Sequence, residues 1–291
     1  MKTAIIGDGM TVCELFKTIL NTLQKAGCED PAFDACCLLE DFAHLPHGRR
    51  FEMDETPLDN DLCEAVLAAA SRRAGGEPLQ YILGSWDFLS LTLAVGEGVL
   101  IPRPDTELLC EVAAKKLKNI ADPTVLDLCA GSGCVGLGLC SLLPTASVTE
   151  VELSDNAMVY LERNVKRYAV YKAQIVKDDV LAPRTTYTPV DAILSNPPYI
   201  PTADLGGLMR EVQHEPKMAL DGDADGLIFY RAIAEKWLPF LKEGGLLAVE
   251  VGIHQAQDVK AIFETAGLRE VEIHRDLGGI DRVVCGYKGC N

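Results

Sequence analysis

Asn196, Pro197, Pro198 and Tyr199 close an apolar run, ILSNPPYIP over residues 193–201. The two prolines remove backbone donors where a strand would use them, which leaves an edge of acceptors. The Asn196 side-chain carbonyl and the Pro197 backbone carbonyl present two oxygens, the second stiffened by proline geometry. A planar NH2 group carries two in-plane hydrogens to match them. An amide or aromatic amine has a delocalised, poorly nucleophilic lone pair. Held by two acceptors, such a nitrogen is oriented, and its pyramidalisation is favoured, as it attacks an electrophilic methyl group in line. Tyr199 would wall the planar group. The alkylated nitrogen sheds its proton readily afterwards, so no His is needed nearby. Alone, the tetrapeptide could be a rigid turn; the residues upstream give it weight.

The segment VLDLCAGSGCVG at 125–136 passes from strand to helix through small residues. Cys129, Ala130, Gly131, Ser132 and Gly133 would let the backbone approach a ligand at the carboxyl end of an open sheet. Gly131, Gly133 and Gly136 also match the dinucleotide fingerprint, a weak signal by itself. Glu152 ends the next strand, 19 residues beyond Gly133, where an acid can accept from both ribose hydroxyls. Glu150 lies one pleat repeat earlier and deeper. Ser154 and Asp155 would cap the following helix. Asp179 can take a hydrogen bond from an adenine amino group while Val180 packs on the ring. Asp127, inside the first strand, must find donors if buried, and the ammonium of an amino-acid-like cofactor would serve. Dinucleotides carry no such ammonium, whereas S-adenosyl-L-methionine carries it together with ribose and adenine. Asp127, Glu152 and Asp179 therefore favour that cofactor over NAD.

The elements that position these residues follow from periodicity. Residues 10–85 read as helices: Val12, Leu15, Phe16, Ile19, Leu20 and Leu23 recur at three-to-four spacing, as do Ala35, Leu38, Leu39 and Phe42, and residues 62–70 repeat the pattern. From 86 to 100 the period turns strand-like, and IPRPDTE at 101–107 opens a helix with Pro and acids in its first turn. Strands are expected at 124–128, 148–153, 174–178, 190–195 and 246–251, with helices near 134–143, 156–168, 229–241 and 255–266. Such alternation predicts an α/β fold, a parallel sheet covered on both faces. The strands at 268–275 and 282–288 are joined too tightly for a crossover and must run antiparallel.

A chain of 291 residues suggests two domains, or one with an appendage. Its net charge of −16 argues against affinity built on phosphates, and residues 1–85 alone carry 7 Lys and Arg against 14 Asp and Glu. No apolar stretch is long enough for a membrane span and the first residues do not form a signal peptide, so a soluble, cytoplasmic protein is expected. The eleven cysteines are scattered without a C-x-x-C and read as reduced, mostly buried thiols. No metal is expected. DGDADG at 221–226 begins like a calcium loop, but its twelfth position is Ala232 rather than Glu. His44 and His47 lack a matching pair of ligands. The pairs Arg49–Arg50 and Arg72–Arg73 read as solvated charges.

With these residues in place, the chain resembles the PrmC/HemK family of protein-glutamine N5-methyltransferases that modify peptide chain release factors. The resemblance rests on DACCLLE at 34–40, GEPLQYILG at 76–84, VLIPRPDTE at 99–107, the glycine loop, SNPPYI at 195–200, Glu215–Pro216, Asp225–Gly226 and DRVV at 281–284. NPPY alone is shared with DNA adenine methyltransferases; the second and third motifs are far more specific. The resemblance implies a helical substrate-docking domain over 1–84, a β-hairpin linker over 85–100 and a class I, Rossmann-like methyltransferase domain with a seven-stranded sheet over 101–291. It further implies methyl transfer from S-adenosyl-L-methionine to the glutamine of a Gly-Gly-Gln motif in release factors; the charge argues against a DNA partner, and nothing in the sequence demands more than a monomer. Asn196, Pro197, Pro198 and Tyr199 would cradle the carboxamide, and Cys129 to Gly133, Glu152, Val180 and Asn196 would hold the cofactor. Two departures stand out: Cys129 where the family usually has Gly, and Glu152 where it usually has Asp. Arg103 is expected to face the methionine end. The alternatives are a DNA or RNA adenine-N6 methyltransferase using the same NPPY chemistry, and an inactive protein that only docks release factors.

Overall fold

The computed structural model describes residues 10–45 and 55–289. They divide into two compact units, one formed by the described residues up to 84 with 210–214, the other by 85–209 with 215–289. His47, Arg49 and Arg50 lie outside the described residues.

In the smaller unit α1 (Val12–Ala26), α2 (Pro31–Ala43) and α3 (Asn60–Ala74) pack together, followed by the short α4 (Leu79–Leu83). Thr11 and Glu14 form a reciprocal capping box at α1, and Asp30 and Asp59 cap α2 and α3. Val12, Leu15, Ile19 and Leu23 bury the predicted stripe of α1. Arg73 is not the solvated charge expected from its pair: buried in α3, its guanidinium bonds Asp34 at 2.7 Å and Glu211 at 2.9 Å. A charge so placed needs partners, and two carboxylates supply them. Arg72 pairs with Glu77. His44 closes α2 in a left-handed conformation, φ 52°.

The larger unit opens with the hairpin β1 (Ser85–Phe88) and β2 (Leu91–Ala94). The hairpin is shorter than the alternation suggested, and residues 95–103 run on as loop into α5 (Pro104–Leu117). Then come β3 (Thr124–Leu128), α6 (Cys134–Leu142), β4 (Ser147–Glu152), α7 (Asp155–Arg167), β5 (Lys172–Lys177) and β6 (Val190–Ser195). The chain finishes with α8 (Ile228–Ala232), β7 (Leu241–Glu250), α9 (Ala256–Thr265), β8 (Leu268–Arg275) and β9 (Asp281–Lys288). The seven-stranded sheet has the order β5-β4-β3-β6-β7-β9-β8, parallel except where β9 pairs antiparallel with β7 and β8. Residues 229–241 are not one helix. After α8 the chain loosens into a π-helical turn at Ile233–Trp237 and a 3₁₀ turn at Leu238–Phe240, where Pro239 cannot continue an α-helix.

Alternation along the strands assigns each sheet face a core. Val125, Val148, Leu194 and Ala248 join residues of α5 and α6 on one face. Leu126, Ile193, Leu247 and Val249 join residues of α8 and α9 on the other. Asp127, Glu150 and Glu250 share the parity of the first set, and all three are buried.

Candidate active site

A cavity opens at the carboxyl ends of β3, β4 and β6, where an open sheet leaves room for a ligand. Cys129, Ala130, Gly131, Ser132, Glu152, Asp179, Val180, Asn196 and Pro198 are brought together on its wall. Asp127, Gly133, Pro197 and Tyr199 are not.

The loop after β3 turns sharply, with φ 61° at Cys129, 57° at Gly131 and 80° at Gly133. Glu152 clamps the site: its Oε2 accepts from the Gly131 amide at 2.8 Å, and its Oε1 accepts from Leu153 and Ser154 amides at 2.8 and 2.7 Å. The carboxylate thus fixes two loops while its remaining lone pairs border the cavity, a function that spacing alone does not reveal. Ser154 caps α7 as expected, accepting from Ala157 at 3.3 Å.

After β5, Asp178 and Asp179 have different tasks. Asp178 is buried and accepts from the amides of Asp179, Arg184 and Thr185 and from the Tyr187 hydroxyl. Burial works to raise its pKa, but these donors together hold it below the usual carboxylate range. Asp179 uses Oδ1 on the Leu181 amide at 2.8 Å and lies on the cavity wall. Val180 beside it is fixed by its carbonyl, which accepts from the Trp237 indole at 2.9 Å. The π-helical turn is what delivers Trp237 there.

Asp127 requires a correction. Its Oδ2 accepts from the Gly136 amide at 2.9 Å, and its register partner on β4 is Glu150. It therefore faces α6 beneath the loop rather than a cofactor ammonium in the cavity. Burial raises both carboxyls, Asp127 to about 7, and the proton they share belongs on Glu150, because only Asp127 has an amide donor. Gly136 is required by this packing: a Cβ there would stand 2.2 Å from Glu150 Oε1. Gly133 serves a similar end, since a Cβ would meet Leu161 at 2.8 Å. Gly136 thus seats α6 on the sheet, while Gly133 lets the start of α6 pack against Leu161 of α7.

At the end of β6, Ser195 donates to the Leu128 carbonyl at 2.6 Å and joins the two strand ends. The Asn196 Nδ2 donates to Thr106 Oγ1 at 3.1 Å, which directs its Oδ1 the other way. Among the described residues no donor occupies Asn196 Oδ1 or the Pro197 carbonyl. Tyr199 is turned from the cavity wall: its hydroxyl lies 3.4 Å from Glu250 Oε1 and its carbonyl accepts from Gln255 at 2.9 Å. Burial first, and the Glu250 charge next, push the Tyr199 phenol upward.

The sequence reading missed several groups at this site. Val99 and Ile101 from the loop before α5, Pro216, and Phe229 of α8 supply apolar wall. Arg103, named from the sequence, lines the cavity as expected, but its guanidinium pairs with the buried Glu215, which also accepts from the Ile101 amide at 3.0 Å. Thr106 and Glu250 give no sequence signal, because their partners lie in other elements.

An apolar wall for a flat ring, acids at the ends of two successive strands, and a small-residue loop fit a ribose-bearing, adenine-bearing sulfonium cofactor. Asp127 is not among the residues of that wall.

Family models match at two places: the PrmC N-terminal domain over residues 14–84, and the methyltransferase small domain over residues 104–219. Among curated proteins, the chain is 39% identical to the release factor glutamine methyltransferase of Geobacter sulfurreducens, over 92% of this chain and 93% of that one. It is 36% identical to the protein of the same name from Vibrio cholerae, over 96% and 98%. Among solved structures, the hMettl16 catalytic domain bound to an RNA hairpin shares the fold, with a TM-score of 0.56 at 15% identity over 80% of this chain and 83% of that chain.

Proposed function

The chain belongs to the release factor glutamine methyltransferases, and we propose that the acceptor edge after β6 performs their reaction. It is an S-adenosyl-L-methionine-dependent methyltransferase, and its product is a release factor carrying a methyl group on a glutamine side-chain nitrogen. The glutamine concerned is that of the Gly-Gly-Gln motif. Membership weighs against the adenine-N6 alternative, as does a net charge of −16.

The observation that carries the site assignment is Asn196 on the cavity wall with its Oδ1 open, followed in the chain by a Pro197 carbonyl that no donor occupies among the described residues. Both oxygens accept hydrogens of the incoming carboxamide, fix its plane and hold its nitrogen for in-line attack. Glu152 and Asp179 would hold ribose and adenine, with Val180 and Phe229 packing on the ring. S-adenosyl-L-methionine supplies an electrophilic methyl carbon. Pro198 closes the wall beside Asn196, and the buried surroundings exclude bulk water, which strengthens both acceptors. The methylated nitrogen loses a proton without a dedicated base. Residues 1–84 are assigned as a helical domain that docks the release factor, residues 85–100 as a hairpin linker and residues 101–291 as the methyltransferase domain.

Asn196→Ala tests this division of labour. It removes one acceptor from the nucleophile, so kcat is expected to fall about 10²-fold or more. Cofactor affinity measured by calorimetry should change little. Parallel losses of binding and turnover would reject the assignment.

A further inference from the structure

We propose that Glu250 is a positioning residue which, acting through Thr106, sets which end of the Asn196 amide faces the substrate nitrogen. This rests on the reading of Asn196 and Pro197 as the carboxamide cradle. Glu250 ends β7 with 2% of its surface exposed, directly behind that cradle. Its surroundings hold few charges. Asp105 and Thr106 face it from α5, Tyr199 from the loop after β6 at 3.4 Å, and Arg282 from β9. Arg282 is already engaged by Asp105 at 2.9 Å and Asp276 at 3.1 Å. The thiols of Cys110 on α5 and Cys134 on α6 also sense the carboxyl, and Tyr230 of α8 donates to its backbone carbonyl at 2.9 Å. Among the described residues Oε2 has no well-formed partner.

Thr106, itself buried, accepts the Asn196 Nδ2 hydrogen at 3.1 Å and must aim its single proton elsewhere; α5 packs on β7, and the buried Glu250 carboxyl at the end of β7, whose Oε2 has no partner among the described residues, is the acid within reach of it. An ionised carboxylate can only accept. Thr106 then donates to Glu250, shows its lone pair to Asn196 Nδ2, and leaves Oδ1 pointing outward as an acceptor. A protonated Glu250 is a donor as well. It can turn the Thr106 hydroxyl round, so that Thr106 donates to Asn196 Oδ1 and the amide presents Nδ2 to a substrate NH2 that needs acceptors. Burial pushes the Glu250 carboxyl up to about 7, against the pull of Thr106, Arg282 and Tyr199, which places the reversal near neutrality.

The test measures kcat and both KM values of the full-length enzyme on a bacterial release factor, from about pH 6 to 9. Wild-type kcat should fall about tenfold per unit below the Glu250 pKa and level off above it. Glu250→Gln cannot titrate; its turnover should drop about threefold to tenfold at high pH and lose the acid limb. Thr106→Val should lower kcat about 10²-fold with KM for the cofactor within about twofold, and Thr106→Ser should restore most of it. An acid limb that persists in Glu250→Gln, or Thr106→Val turning over like Thr106→Ser, would overturn the inference and leave the cradle assignment standing. If Glu250→Gln fails to fold, the Thr106 pair decides. A wild-type protein that methylates no release factor would overturn both.

Discussion

Cys129 shows how much one residue in the glycine loop carries. Its backbone adopts φ 61°, a conformation that disfavours a Cβ by about 1–2 kcal/mol. Replacement by Gly relieves that strain but enlarges the unfolded ensemble by about 1 kcal/mol. Cys129→Gly should therefore shift stability by less than about 1 kcal/mol in denaturant titration, while cofactor affinity rises as the wall recedes. A large destabilisation would show that the thiol's packing matters more than its backbone. The chemistry of Asn196 was legible because the residue sits next to prolines that strip donors from the chain. Its orientation was not, because that depends on Thr106, 90 positions away. Asp127 was misplaced for a related reason: period-2 alternation puts it on a face but does not say whether the cavity or a helix covers that face.

At the scale of elements, α6 lies close to the sheet because Gly136 lets the Glu150 carboxyl touch its backbone. Gly136→Ala should cost about 1–3 kcal/mol of stability, since the added methyl must displace a buried carboxyl pair. An urea midpoint equal to wild type would mean that Glu150 has another place to go. Strand β6 was readable residue for residue, as an apolar run stopped by Asn and Pro, and β3 by the step into small residues. The antiparallel end of the sheet followed from a connection too short to cross over. Less legible was residues 229–241, whose apolar spacing suggests one helix; Pro239 and the demand that Trp237 reach the Val180 carbonyl break it into three turns. The chain after Val95 was read as strand because alternating apolar residues also suit a loop that lines a cavity.

The whole molecule carries opposed sets of acids. Burial raises Asp127, Glu150, Glu250, Asp34 and Glu215. A carboxyl with a raised folded pKa favours the folded state below its unfolded value, and that advantage is lost as pH rises through the folded value, here about 7 for Asp127 and Glu250. Asp178, Asp191 and Glu211 are lowered: burial opposes this, but amide donors at Asp178 and Lys242 or Arg73 at the others prevail. Their contribution is present above the unfolded value and lost as pH falls. Stability measured by urea unfolding should peak at about pH 5 and decline toward pH 8, helped down by self-repulsion in a chain of charge −16. A maximum above neutrality would show that the buried acids find donors on ionising. The most direct measurement of what the molecule does is to incubate the full-length protein with methyl-labelled S-adenosyl-L-methionine and either a release factor or duplex DNA, then map the label by mass spectrometry. Label is expected on the side-chain nitrogen of the Gly-Gly-Gln glutamine, and none on a release factor with that glutamine replaced. Label on DNA adenine, or no transfer to the release factor at all, would contradict it.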